Sequence, residues 1–333
     1  MKRRLIKRLT AIVVSALMVG CMAIPVGADT VASELTGLPI DSSIANQRPI
    51  AVMVDNEKIA LKHYGTAEAD IVYEMMNSTK NSRVTRLMCI YKDWQNIGQT
   101  GSIRSIRTTN IPLAGEYNAI MIHDGGPFYI NDYFANPWAN HLSGGFARIK
   151  NGKRTEFTEY VTADVLNKKI DKAKISRTYN EYAPARRNHF KFYGADTLIG
   201  GGTANNIDLS GAFWHNSSKL AYNPSTASYD YYEYGSIHTD AEDGQVLTFK
   251  NVLLQSMSFA ELDANGYFTY NMVGSGSGYY CTNGQVIPVT WTKTSLTAPT
   301  VFTGSNGQEI SINPGKTYIG IVPSDTWGNI VIN

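Results

Sequence analysis

Past its first segment, the chain is a series of short apolar runs separated by polar turns, with little of the three-to-four-residue spacing of an amphipathic helix. Ile50-Ala-Val-Met-Val54 is continuously apolar and bounded by Pro49 and Asp55-Asn56. Such a run predicts a strand covered on both faces. Ile71–Met76, Thr85–Tyr91 and Ala119–Ile122 predict further strands. Lys58–Ala69 predicts a short helix. Ile97–Arg107 predicts a loop entering a helix that ends near Tyr117. Pro112 fits the first turn of that helix, where backbone N–H groups have no internal partner. Thr162–Lys174 predicts an amphipathic helix. Alternating strands and helices predict an N-terminal α/β layer domain over 48–199.

Gly200-Gly-Gly202, followed by Thr-Ala-Asn-Asn206, marks an internal boundary. Beyond it the strand-like runs are Ser228–Tyr234, Gln245–Gln255, Gly278–Cys281, Gln285–Trp291, Thr300–Phe302, Glu309–Ile312 and Thr317–Val322. Asn283-Gly284 and Asn306-Gly307 lie between apolar runs and predict hairpin turns. A mostly antiparallel β domain is expected over 205–331, making the fold class α+β / α/β. Residues 29–47, small and polar, are expected to be a tether.

The chain has 333 residues and a net charge of +2, but the charge is unevenly placed. Residues 1–28 hold a basic start, an apolar run too short to span a membrane comfortably, and a small-residue exit at Val26 and Ala28. This predicts a signal peptide. It carries five Lys/Arg and no acid, so the remainder has 25 basic and 28 acidic side chains, net −3. That excludes a nucleic-acid binder working by bulk charge. Leu17-Met-Val-Gly-Cys21 resembles a relaxed lipobox. The protein is therefore secreted after Ala28 or lipid-anchored at Cys21; either places it outside the cytoplasmic membrane, which it touches only through the signal or that anchor. Cys89 and Cys281 are expected to be buried, unpaired thiols.

Three segments carry candidate chemistry. Asp55-Asn56 follows one buried strand, His123-Asp124-Gly125-Gly126 follows another, and Arg104 and Arg107 precede a helix. In open α/β sheets ligands bind beyond the carboxyl ends of strands. If the two strands are parallel, their polar ends share one rim. The helix start adds positive potential, and arginine adds bidentate donors for phosphate or carboxylate. His123 and Asp124, adjacent at a strand end, should point to opposite sides. Glu74 and Arg86 are expected to pair across strands; an acid/base role for Glu74 is the sharper alternative. His238 and Asp240 share a strand face, but a metal needs another ligand and none is evident nearby, so a turn cluster is expected and neither metal nor cofactor is assigned. The tyrosines at 229, 231, 232 and 234 read as cross-strand packing before sugar stacking. No Gly-x-Ser-x-Gly elbow, P-loop, HExxH or dinucleotide fingerprint is present.

Leu35-Thr-Gly-Leu-Pro39, Arg48–Asn56, Ala69–Glu74, Thr85-Arg86, Gly101-Ser-Ile-Arg-Ser-Ile-Arg107 and His123–Gly126 resemble the N-terminal domain of the YerB-like putative lipoproteins. Asn251–Gln255, the stretch from Gly284 to Lys293, and Asn313–Thr317 resemble that family's C-terminal domain. The family usually has Pro-Val where Ser102-Ile103 stand. The resemblance implies an exported, usually lipid-anchored, two-domain envelope protein and no reaction. The expected function is binding of an anionic or glycan-type ligand of the envelope or cell wall. Its ligand set is Asp55, Asn56, Glu74, Arg86, Arg104, Arg107, His123, Asp124, Gly125 and Gly126, with the β domain free for protein contacts. The alternative is a wall-polymer hydrolase or phosphoryl-group transferase, with His123, Asp124 or Asp55 moving protons and arginine stabilising charge.

Overall fold

A computed structural model describes residues 29–184 and 188–333. Residues 1–28, where the signal peptide is expected, and Cys21 among them lie outside the described residues. The N-terminal half contributes β1 (Ile50–Asp55), β2 (Ile71–Met76), β3 (Thr85–Tyr91), β4 (Ile120–His123) and β5 (His141–Ser143). The C-terminal half adds β6 (Gly202–Thr203), β7 (Asn206–Asp208), β8 (Lys219–Asn223), β9 (Ser228–Glu233), β10 (Asn251–Met257), β11 (Gly274–Thr282), β12 (Gln285–Lys293), β13 (Val301–Thr303) and β14 (Thr317–Pro323). The helices are α1 (Asn110–Gly115), α2 (Asn131–Phe134) and α3 (Ala163–Ala173).

Strands from both halves form one 11-stranded sheet, ordered β6-β12-β11-β10-β14-β2-β3-β1-β4-β5 with β13 beside β12. The join is β14 against β2, parallel, with Thr317 opposite Ile71. The expected antiparallel character holds for the β11–β12 hairpin and the β7-β8-β9 meander. It fails at β10 and β14, which pair in parallel with each other. The reason is visible in their composition: β14 is buried at every position and β10 at all but one, which suits a strand covered on both faces. The expected single strand Gln245–Gln255 divides at Lys250. Thr248–Phe249 pairs with β9 in a second, 6-stranded sheet, while Asn251 onward enters the main sheet.

The fold is mostly strand, and the α/β layer reading of the N-terminal half overstated its helices. α3 forms where the amphipathic pattern lies, but α1 is six residues long and α2 four. Lys58–Ala69 forms only a 3-10 turn, Lys58–Ala60. The rest is loop because its backbone is used by other elements. The Tyr64 N–H donates to the Gly101 carbonyl, and the Thr66 N–H to the Asp240 carboxylate. The stretch 29–47 is folded and not a tether. Thr30–Ala32 pairs with Pro39–Asp41, Leu35 is buried in the core, and Glu34 pairs with buried Lys92 at 2.5 Å.

Two cores flank the sheet. Ala51, Met53, Tyr73, Met75, Met88 and Met121 fill one face, and Val52, Val54, Val72, Leu87 and Ile122 fill the other. Each such side chain contributes roughly 1.5–3 kcal/mol by burial. Cys89 and Cys281 are free and buried. Among the described residues no helix is long and apolar enough to cross a membrane.

Candidate functional site

β1 and β4 are parallel neighbours, with Ile50 opposite Ile120 and Val52 opposite Ile122. Alternation along the strands then fixes which way their ends face. Asp55 and His123 follow Met53 and Met121 onto the methionine-rich face, and Arg86 stands directly opposite Asp55 on β3.

The segment 102–107 runs between the two strand ends. The Asp55 N–H donates to the Ser102 carbonyl, the Arg104 N–H to the Met53 carbonyl, and the Asp124 N–H to the Arg104 carbonyl. Arg104 thereby reaches Asp55, its Nε donating to Oδ2 at 2.5 Å. Arg86 lies 3.6 Å from the same carboxylate and donates from Nη1 to the Ser105 carbonyl, while its buried Nε has no hydrogen-bond partner. Arg107 donates to the Asn77 and Ile106 carbonyls and lies over the Tyr267 ring. Two guanidinium groups therefore share one buried carboxylate, with Arg107 close enough to repel Arg86 and Glu57 adding a further negative field there. Burial, then repulsion from Arg107, pulls Arg86 down to about 9; burial likewise pulls Arg107 down to about 10. Both remain cations at neutral pH. Asp55 and Arg86 are almost wholly buried, whereas the Arg104 side chain is 30% exposed.

Beside Arg107 an aromatic series leads outward. Tyr267 meets Tyr129 edge-on at 6.2 Å, Tyr129 lies 4.0 Å from Phe128, and Phe128 is 70% exposed. Gly125, with φ +69°, turns the chain between this series and His123. Its carbonyl accepts from the Ile106 N–H and contacts His123 Nδ1 at 2.8 Å.

His123 and Asp124 diverge into different surroundings. His123 stacks on Phe134 and His141, and its Nε2 lies 3.0 Å from His141 Nδ1. Burial lowers its pKa to about 4, so it is neutral. Asp124 shares the Arg148 guanidinium with buried Glu159, at 3.1 and 2.9 Å. Burial and the neighbouring Asp124 carboxyl push Glu159 up to about 7.

With this geometry in view, comparison with known proteins is informative. Residues 35–176 match the N-terminal domain of the family described as "Protein of unknown function (DUF3048)", and residues 209–319 match its C-terminal domain. The chain belongs to the DUF3048 family. It is 25% identical over 328 residues, 95% of its length, to "Putative lipoprotein YerB" of Bacillus subtilis (strain 168), covering 91% of that protein. It is also similar in fold to the crystal structure of the YerB protein from Bacillus subtilis. That match has a TM-score of 0.77 at 22% identity and covers 91% of this chain and 99% of the other.

In this DUF3048 chain not every expected site residue reaches the rim. Glu74 pairs with Leu87 and not with Arg86; Met75 stands opposite Arg86 instead. The two charges occupy opposite faces, because a one-residue offset in register reverses the side. Glu74 is fully buried and accepts four hydroxyl hydrogen bonds: Thr85 and Ser218 at 2.7 and 2.6 Å, and Tyr231 and Tyr318 at 3.0 and 2.7 Å. Burial raises its pKa. Asn56 is buried, donates to Thr85, and gives its carbonyl to Asn216 and Tyr234, joining the two halves. Arg104 and Arg107 lie on a loop before α1, so the positive potential at the rim comes from guanidinium groups and not from a helix terminus. Tyr229 and Tyr231 are buried packing residues. Tyr267, Phe128 and Tyr129, Arg148 and Glu159 were missed, since no local motif ties them to the rim.

Proposed function

We propose that this DUF3048 protein works in the cell envelope and binds an anionic, sugar-containing ligand at the rim of Asp55, Arg86, Arg104 and Arg107. The observation that carries the reading is the imbalance of charge: Arg86 and Arg104 share one carboxylate, Arg107 stands close enough to repel Arg86, and a buried Arg86 Nε is left unpartnered. Packed guanidinium groups repel one another, and an anion seated among them relieves that repulsion while supplying bidentate acceptors. The Tyr267–Tyr129–Phe128 series leads from Arg107 to an exposed Phe128 ring, whose face has the chemistry that stacks on a sugar ring. The name of the Bacillus subtilis relative supports an envelope location at the cell surface.

The test is calorimetric titration of the chain from Asp29 onward with phosphate, sulfate and solubilised wall fragments. Saturable binding is expected that weakens at least about tenfold in Arg104→Ala and in Arg107→Ala, matching the 1.5–3 kcal/mol of a charge-assisted hydrogen bond. Unchanged affinity in both variants would refute the assignment.

The Asp124–Glu159 pair favours a second reading, an enzyme acting on wall polymer. A carboxyl raised to about 7 beside a second carboxyl is placed to donate and accept a proton. Turnover of wall fragments abolished by Glu159→Gln, with anion binding intact, would establish it; no turnover by the unaltered protein would remove it.

A further inference from the structure

On the opposite face of the sheet from the arginines lies a separate cluster. His63 comes from the loop after β1, Glu233 from the end of β9, and His238 from the turn that follows. All three are buried, His63 completely. His238 Nδ1 lies 2.6 Å from Glu233 Oε1, and its Nε2 lies 2.9 Å from Thr66 Oγ1. The His63 and His238 rings are 5.1 Å apart. One ligand atom from each of the three residues falls within 4.8 Å of the others. Neither ring nitrogen of His63 has a hydrogen-bond partner, and neither has Glu233 Oε2.

Such a set is costly as it stands. A buried polar group without a partner loses about 1–3 kcal/mol, and the cluster holds such atoms on His63 and Glu233. Burial, then the nearby His238, holds His63 well below its usual pKa. Two imidazoles and one carboxylate are the ligand set of three-residue zinc sites. Ligand atoms about a tetrahedral zinc sit roughly 3.3 Å apart, given bonds of about 2.0–2.1 Å; those of the cluster, within 4.8 Å of one another, must draw in to reach that. The surrounding frame is already fixed: Asp240 takes the N–H groups of Thr66 and Ala67, and the Ala241 N–H donates to the His63 carbonyl. Thr66 stands where a fourth ligand or a bound water would be oriented.

We propose that His63, Glu233 and His238 bind a divalent transition-metal ion of the zinc class, pinning the N-terminal loop to the C-terminal sheet. The site does not depend on the anion reading. The sequence hides it because its ligands come from two distant segments; His238 and Asp240 alone suggested only a turn.

The test uses tag-free chain from Asp29 onward, purified without chelators. Elemental mass spectrometry should find about one equivalent of metal per chain. A stripped sample should melt lower and recover its midpoint with Zn²⁺. Cobalt substitution should give the visible bands of a four-coordinate site. His63→Ala and Glu233→Gln should weaken Zn²⁺ binding beyond the roughly 10–100-fold that losing an outer partner costs. Circular dichroism checks that each variant folds, and Glu233→Gln, which keeps shape, decides the matter if His63→Ala does not. Stripped protein that takes up no Zn²⁺ or Co²⁺, or Zn²⁺ affinity equal in the unaltered chain and Glu233→Gln, would overturn the proposal.

Discussion

Glu74→Ala should be among the most damaging single substitutions in the molecule. Glu74 is the meeting point of hydroxyl groups from β2's neighbour Thr85, from Ser218 and Tyr231 in the second sheet, and from Tyr318 on β14. Removing the carboxyl strands some of these donors but not all. Thr85 still accepts from Asn56, but its own O–H loses its acceptor; Ser218 and Tyr231 lie 3.3 Å apart, so one of them can donate to the other. Tyr318 has no such recourse among these groups. Buried hydroxyl donors left unpaired, at about 1–3 kcal/mol each, together with the void left by the side chain, cost at least about 3–5 kcal/mol. Glu74→Gln keeps the shape and two acceptor positions, and should cost about 1–2 kcal/mol. Urea unfolding followed by tryptophan fluorescence measures both. The pH dependence adds a check on sign. Burial raises the Glu74 pKa in the folded state, so folded protein holds this proton more tightly than unfolded chain. Its stabilising contribution is full below the unfolded value and fades as pH rises through the folded one. Glu74→Gln should therefore lie furthest below the unaltered protein at low pH, with the gap closing as pH rises. A Glu74→Ala loss under about 1 kcal/mol would show that the hydroxyl cage does not hold the two sheets together.

Other expectations follow from the same contacts. A carbon-13 titration of the Glu159 carboxyl should have its midpoint near about 7, and Arg148→Ala, which removes a favourable charge, should move it upward; a midpoint in the ordinary carboxylate range would refute the pairing with Asp124. His123, lowered to about 4, contributes stability that is present above the unfolded histidine value of about 6.5 and lost as pH falls through about 4. His123→Asn should flatten that part of the acid limb, and nitrogen-15 spectra should show a neutral ring at pH 6. Gly284 takes φ +70° in the two-residue β11–β12 turn, where an added Cβ would meet Tyr222 and the Asn205 side chain at 3.0 Å. Gly284→Ala should cost about 1–2 kcal/mol in the same unfolding assay, and a neutral result would contradict the turn geometry.

Much of the architecture could be read from the chain where one property dominates. The runs at 71–76 and 85–91 are strands at those bounds because, Glu74, Thr85 and Arg86 apart, their apolar residues must be covered on both faces. Asn283-Gly284 turns because both positions take positive φ. The parallel join of β2 to β14 was not legible, since pairing between residues so far apart leaves no periodic trace. Lys58–Ala69 has helical spacing, yet its backbone groups go to Gly101 and Asp240. Of the site residues, Asp55 and His123 end strands that are parallel neighbours, and Arg104 reaches Asp55 from the loop between them. Glu74 does not, because the β2–β3 register, which polarity alone cannot fix, turns it to the other face.

The guanidinium groups of Arg86, Arg104 and Arg107 are proposed to form a seat for an anion. Crystals soaked in selenate or tungstate locate an anion directly by anomalous scattering. The account predicts a peak between those three side chains, absent from crystals of Arg104→Ala/Arg107→Ala. Well-ordered anion peaks elsewhere on the molecule with none at the arginines would contradict it.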